Sequence, residues 1–149
     1  MKIKLIALGQ TEKGYLTEGC QIFLNRLKHY CNFTFIEIAE PKHLAKLNAE
    51  QRKAEEAKLF FNKIENNDTI FLLDEFGKSY TSEKFAQFIE KNQIANTQQL
   101  CFLIGGPFGF YQSLHQKAKG KIALSLMTFS HQMIRLFFLE QLYRAHTIL

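Results

Sequence analysis

The run Leu100-Cys101-Phe102-Leu103-Ile104 leads directly into Gly105-Gly106-Pro107-Phe108-Gly109, and this junction constrains the fold more than any other part of the chain. An unbroken apolar run suits a strand covered on both faces, as in a parallel sheet with helices above and below. Glycines immediately after it permit positive φ and let a ligand approach the backbone without a Cβ in the way. In open α/β sheets, ligands sit beyond the carboxyl ends of strands. The loop is therefore a candidate site, with a plain strand-to-helix turn as the alternative when it is judged alone.

The rest of the sequence is compatible with that architecture. A chain of 149 residues with 46% hydrophobic and 22% charged residues can bury a sizeable core, which excludes a disordered chain and favours one domain over residues 1–149. No apolar run approaches the roughly 20 residues of a spanning helix. The opening Met1-Lys2-Ile3-Lys4-Leu5-Ile6 reads as a short strand rather than a signal segment, so a cytoplasmic protein away from membranes is expected. Cys20, Cys31 and Cys101 are odd in number and lack CxxC spacing, and His29, His43, His115 and His146 show no HExxH-like pattern. Neither a disulfide framework nor a metal site is expected.

Charge is uneven along the chain. Through Lys91 there are 14 basic and 13 acidic side chains, whereas from Asn92 onward five basic residues face a single acid, Glu140. The carboxyl-terminal third is the electropositive part, as a surface that approaches a phosphate backbone needs to be. Lys117, Lys119, Lys121, Arg135 and Arg144 are the candidate phosphate contacts, with a solvated basic face as the alternative.

Strands and helices alternate with no linker or repeat, the pattern of a layered α/β fold. Lys2 to Leu8 reads as a strand. Leu16, Cys20, Phe23, Leu27 and Tyr30 mark an amphipathic helix, and Phe33 to Ile38 alternates as a second strand ended by Pro41. Leu47, Ala54, Ala57, Phe61 and Ile64 mark a second helix whose solvated face carries Lys53, Glu56 and Lys63. Thr69 to Leu73, a helix from about Thr81, a short helix near Tyr111 to Ala118 and a strand from Ile122 to Leu126 follow. A last helix spans about His131 to His146, apolar almost all round, and it is expected to be buried on two sides, with a second subunit against one. Phe137 and Phe138 are placed in that seam. Asp74 is expected to satisfy loop N–H groups. Gly77-Lys78-Ser79 is not a phosphate loop, because Leu72 stands where the required first glycine would be.

Three motifs carry a family resemblance: Leu72-Leu73-Asp74-Glu75-Phe76-Gly77-Lys78, Leu103-Ile104-Gly105-Gly106-Pro107-Phe108-Gly109, and Leu124-Ser125-Leu126-Met127-Thr128-Phe129-Ser130-His131. With the closing Glu140-Gln141-Leu142-Tyr143-Arg144-Ala145, the chain resembles, nearly end to end, the RlmH family of ribosomal RNA methyltransferases in the SPOUT superfamily. The resemblance implies a parallel α/β sheet whose carboxyl-terminal segment threads a trefoil knot. It also implies a homodimer that transfers a methyl group from S-adenosyl-L-methionine to N3 of a pseudouridine in 23S ribosomal RNA of the large subunit, free or in the ribosome. On it, the cofactor lies against Leu73, Gly105, Ser125, Leu126, Met127, Thr128, Phe129 and Ser130, with Leu73, Leu126 and Phe129 as apolar walls. No metal is required. His131 is a weak candidate for proton transfer.

Two departures from the family pattern stand out. Ser130 occupies a position where the family usually has proline, which removes a fixed φ from the loop. Family members also usually continue through a Pro-Tyr-His-basic tail, whereas this sequence stops at Leu149, so cofactor binding is expected with weak turnover. The alternative expectation is a catalytically impaired SPOUT-fold RNA-binding module. A dinucleotide oxidoreductase is disfavoured because GxGxxG is absent.

Overall fold

A computed structural model describes residues 1–149. Five parallel strands, β1 Lys2–Leu8, β2 Asn32–Ile38, β3 Asp68–Ser79, β4 Gln99–Ile104 and β5 Gly120–Ala123, form one sheet in the order β2-β1-β4-β3-β5. Helices α1 Tyr15–Leu27, α2 Ala49–Phe61, α3 Ser82–Ile94, α4 Gln112–Lys117 and α5 Met133–Ile148 connect or follow the strands. The central position of β4 explains its uninterrupted apolar run, since each of its residues is buried.

Strand periodicity divides the core. Leu100, Phe102 and Ile104 of β4, with Ile3, Leu5 and Ala7 of β1, face α1, α3 and α5. Cys101 and Leu103, with Ile6, Leu8, Ile70 and Leu72, face α2 and α4. Phe138 of α5 is fully buried, its ring 4.7 Å from that of Phe102. No helix is long and apolar enough to cross a membrane.

β3 meets β5 twice. Phe71 to Leu73 pair with Gly120 to Ile122, and after residues 74–77 bulge outward, Lys78 and Ser79 pair with Ile122 and Ala123. At the return, Gly77 lies so close to β5 that a Cβ on it would stand 2.6 Å from both Ile122 N and Lys121 C. Only a residue without a side chain permits this backbone-on-backbone approach.

Several local expectations change. β5 ends at Ala123, so Leu124 to Leu126 belong to a loop rather than a strand. α5 begins at Met133, leaving His131 in the turn before it. Asn48 and Gln51 form a reciprocal capping box that starts α2 at Ala49, and a 3₁₀ turn at Lys42–Lys46 precedes it, so Leu47 lies outside the helix. The helix phase turns Glu56, Ala57 and Phe60 inward. Glu56 is thus buried, not solvated, and Phe61 is exposed. Phe138, expected at a subunit seam, belongs to the core of this chain, because the α5 face carrying Phe138, Leu139 and Leu142 packs onto the sheet.

Because backbone atoms cannot move aside as a flexible side chain can, Gly77→Ala is expected to destabilise the protein by about 1–3 kcal/mol. Urea unfolding measures this directly, and an unchanged midpoint would show that β5 can shift away from position 77 without loss.

Candidate functional site

The carboxyl ends of β3, β4 and β5 open into a cleft of ≈ 640 Å³. Three segments build it: the bulge that starts at Leu73, the glycine loop after Ile104, and the loop from Leu124 to His131. Of the residues singled out in the sequence, Leu73, Gly105, Ser125, Met127, Thr128, Phe129, Ser130 and His131 all line it. Leu126 does not. Ser125 Oγ accepts the Met127 N–H at 3.0 Å, closing a tight turn with Leu126 at its tip, 91% exposed. An apolar side chain that far into solvent forms no wall of the cleft.

Local hydrogen bonds fix each segment. Asp74 Oδ1 accepts the Phe76 N–H at 2.9 Å, the loop-satisfying role expected for it, and Thr128 donates to Glu75, joining the third segment to the first. Ser130 Oγ accepts the Met133 N–H at 3.1 Å and satisfies a first-turn donor of α5. A proline at 130 would have no such oxygen to offer. Phe129 packs edge-on against Phe137 at 4.7 Å, anchoring the loop to the last helix.

The glycine loop presents backbone to the cleft because there is no space behind it. A Cβ on Gly105 would approach the Phe110 ring at 3.1 Å, and one on Gly106 would stand 2.6 Å from Glu56 Oε2. Gly109 closes the turn at φ 82°. Glu56 was not recognised as part of this region from sequence. Its only signal is helical phase, one residue before Ala57 and four before Phe60. Its Oε1 has no hydrogen-bond partner, and burial raises its pKa, opposed by Arg52, which donates to Oε2 at 3.1 Å. Arg52 also pairs with Glu40 at 2.9 Å and stands 5.7 Å from the Phe108 ring centroid, so α2 supports the outer lip of the glycine loop.

Arg135 corrects a sequence expectation. It is fully buried, and its guanidinium donates to Leu8 O at 2.5 Å, Gly9 O at 2.9 Å, Thr11 Oγ1 at 3.0 Å and Glu37 Oε2 at 3.4 Å, while Nε donates to His131 O at 3.2 Å. A cation with its whole fork committed inside the protein is no phosphate contact. Its reach is explained by β1, whose terminal carbonyls run out of strand partners and need donors. Arg144 is exposed but bonds Glu140 at 2.6 Å one turn away, whereas Lys117, Lys119 and Lys121 are exposed around α4 and β5. His131 lines the cleft. Partial burial of its ring, then the Arg135 charge, lowers its pKa below the ordinary histidine value, so the neutral ring prevails near pH 7. No group of three or more His, Cys, Asp or Glu is placed to hold a metal ion.

Known proteins resemble this chain along its whole length. The family described as predicted SPOUT methyltransferase matches residues 1–149. A protein of Cytophaga hutchinsonii named ribosomal RNA large subunit methyltransferase H is 50% identical over 149 residues, covering 100% of this chain and 96% of its own. A protein of the same name from Christiangramia forsetii is 46% identical over 149 residues, covering 100% of this chain and 95% of its own. Among solved structures, the SpoU methyltransferase AviRb from Streptomyces viridochromogenes, in complex with the cofactor AdoMet, superposes with a TM-score of 0.44 at 9% identity, covering 99% of this chain and 60% of that one. That likeness is too distant to bear on function. The full-length family match and the relatives at this identity place the chain in one family: it is a SPOUT methyltransferase.

Proposed function

We propose that this protein transfers a methyl group from S-adenosyl-L-methionine to N3 of a pseudouridine in 23S ribosomal RNA, in the cytoplasm, as a homodimer. The observation that carries the reading is the cleft itself, in which three loops at one sheet edge meet around a glycine floor in a chain of this family. Its volume lies within the ~300–1,000 Å³ range of small-molecule and cofactor sites. The residues fit the cofactor: glycine backbone offers N–H and C=O groups to an adenine edge and ribose, and Leu73, Ile122 and Phe129 offer apolar walls. The family resemblance that suggests this chemistry also implies a carboxyl-terminal trefoil knot.

The cofactor supplies a methyl group already activated by its sulfonium, so the protein's task is alignment and removal of a proton. Gly105 and Gly106 let the floor approach the ligand closely. Asp74, Ser125, Thr128 and Ser130 hold the surrounding loops by the bonds described above. His131, neutral near pH 7, is suited to accept a hydrogen bond at the cleft's edge. Leu73, Gly105, Gly106 and Phe129 would hold the cofactor, which would supply the methyl group to the base nitrogen in exchange for its bond to sulfur, the nitrogen's proton leaving to solvent.

Lys117, Lys119 and Lys121 would attract the ribosomal RNA, and Arg144 would join them by exchanging Glu140 for phosphate. For the dimer, α5 offers the partly exposed Phe137, and α1, packed on it through Gly19 and Leu136, exposes Tyr15 and Ile22. Apolar side chains at such a surface suit an isologous contact.

The direct test is methyl transfer to ribosomes carrying unmethylated pseudouridine. Transfer is expected, and cofactor binding without transfer would favour a catalytically impaired RNA-binding module. Gly105→Val, which presses on Phe110, is expected to weaken S-adenosylhomocysteine binding about tenfold by calorimetry, in line with overpacking of about 1–3 kcal/mol. Unchanged affinity in a folded variant would move the cofactor elsewhere.

Two further measurements address the partners. Exchanging Lys117, Lys119 and Lys121 together for Gln is expected to flatten the salt dependence of RNA binding, by up to about 0.7–0.9 in logarithmic slope per lost phosphate contact. An unaltered slope would remove these lysines from the interface. Phe137→Lys is expected to give a monomer in sedimentation, because an unpaired ammonium is not tolerated in an apolar seam. A dimer that survives this change would place the interface on another face.

A further inference from the structure

Of the 15 phenylalanines in the chain, four are exposed, and three of those, Phe76, Phe108 and Phe129, line the large cleft. A ring left in water forgoes the free energy of burial, so the gathering of three at one opening calls for an occupant. Phe129 rests on Phe137 and belongs to the wall already described. Phe76 and Phe108 stand farther out. The first, 82% exposed, is carried by the bulge of β3, and the second, 50% exposed, by the glycine loop after β4.

Both rings are held in place before any ligand arrives. The Phe76 N–H is bonded by Asp74, Glu75 is joined to Thr128, and Gly77 lies against the main chain of β5, so the bulge is fixed on either side of the ring. Arg52 stands over the Phe108 ring at 5.7 Å and is itself tied to Glu40 and Glu56. Side chains on anchored loops lose little freedom on binding. The free charges nearby are positive. Lys78 is exposed two residues from Phe76, and the exposed Lys121 belongs to the stretch of β5 against which Gly77 packs, whereas Asp74 and Glu75 each accept a loop hydrogen bond. Flat apolar rings flanked by lysines complement a single nucleic-acid strand, whose bases stack while its phosphates meet the cations. An apolar protein segment would use the rings and leave the lysines unmatched.

We infer that Phe76 and Phe108 form a stacking platform for unpaired bases of the RNA, on the rim of the cofactor cleft. The inference rests on the methyltransferase reading above and adds to it the means by which the strand is held. The base to be methylated must reach the sulfonium inside the cleft, so a base stacked on the rim is its neighbour in the same strand. Every base has a π face, and stacking therefore orients the strand without selecting its sequence. Unlike a phosphate contact, it releases no counterions, which gives it a separate experimental signature.

The test compares Phe76→Ala, Phe108→Ala and the conservative Phe76→Tyr with the native chain, using a single-stranded RNA oligonucleotide that carries 2-aminopurine. Binding to the native chain is expected to change the fluorescence of the probe base. Each Ala variant is expected to bind about tenfold more weakly with an unaltered salt slope and to lose that change, whereas Phe76→Tyr binds as the native chain does. On ribosomes the Ala variants are expected to show a raised KM, with kcat and S-adenosylhomocysteine affinity unchanged. Native-like RNA affinity in either Ala variant would overturn the inference, as would an absence of probe binding by the native chain. A loss of S-adenosylhomocysteine affinity would assign the rings to the cofactor, and an altered sedimentation coefficient would assign them to a second copy of the chain. Either result also overturns the platform. If the native chain binds the probe through these rings yet transfers no methyl to ribosomes, the functional reading fails and the platform stands.

Discussion

The arrangement depends on how closely β5 packs against β3. With Gly77 lying against the backbone of Ile122 and Lys121, β5 pairs with β3 both before and after a break in register, and residues 74–76 make the bulge between the two pairings. That bulge forms one wall of the large cleft. The loop following β5 forms another, and the glycine loop after β4 closes the third side. The cleft therefore follows from strand packing, since a wider β3–β5 separation would move two of its three walls at once.

Much of this was legible in the sequence where the physics is local. The boundaries of β1, the α1 stripe from Leu16 to Leu27 and the buried run of β4 followed from periodicity and turn residues. The gathering of Leu73, Gly105, Ser125 and Met127 to Ser130 was anticipated from family resemblance, because separate loops carry no local sign that they converge. What remained illegible was non-local. Leu124 to Leu126 continue an apolar pattern, yet the strand stops at Ala123, where the Ser125 turn begins. Glu56 looks solvated by composition and is buried, because the capping box at Asn48 sets a helix phase that composition does not reveal.

Arg135 shows the same limit more sharply. As a residue type it suggested phosphate, and its surroundings assign it to carbonyls of β1 that lie more than 120 positions earlier in the chain. A fully buried guanidinium is tolerated because each direction of its fork meets an acceptor and Glu37 offsets its charge. The same side chain holds His131 by its carbonyl and lowers the affinity of that ring for a proton. Fold stability and site electrostatics thus share one residue.

The span of these bonds bears on how the protein is made. The β1–β4 ladder and the Arg135 contacts join the first ten residues to segments beyond residue 98, so neither can form while the chain is still short. Parallel pairing and large sequence separations slow folding, because loop closure comes before the contacts that reward it. During synthesis α1 and β2 therefore emerge with their apolar faces uncovered. The molecule becomes stable only when its last helix is free to seat Phe138 on the sheet and Arg135 at the end of β1.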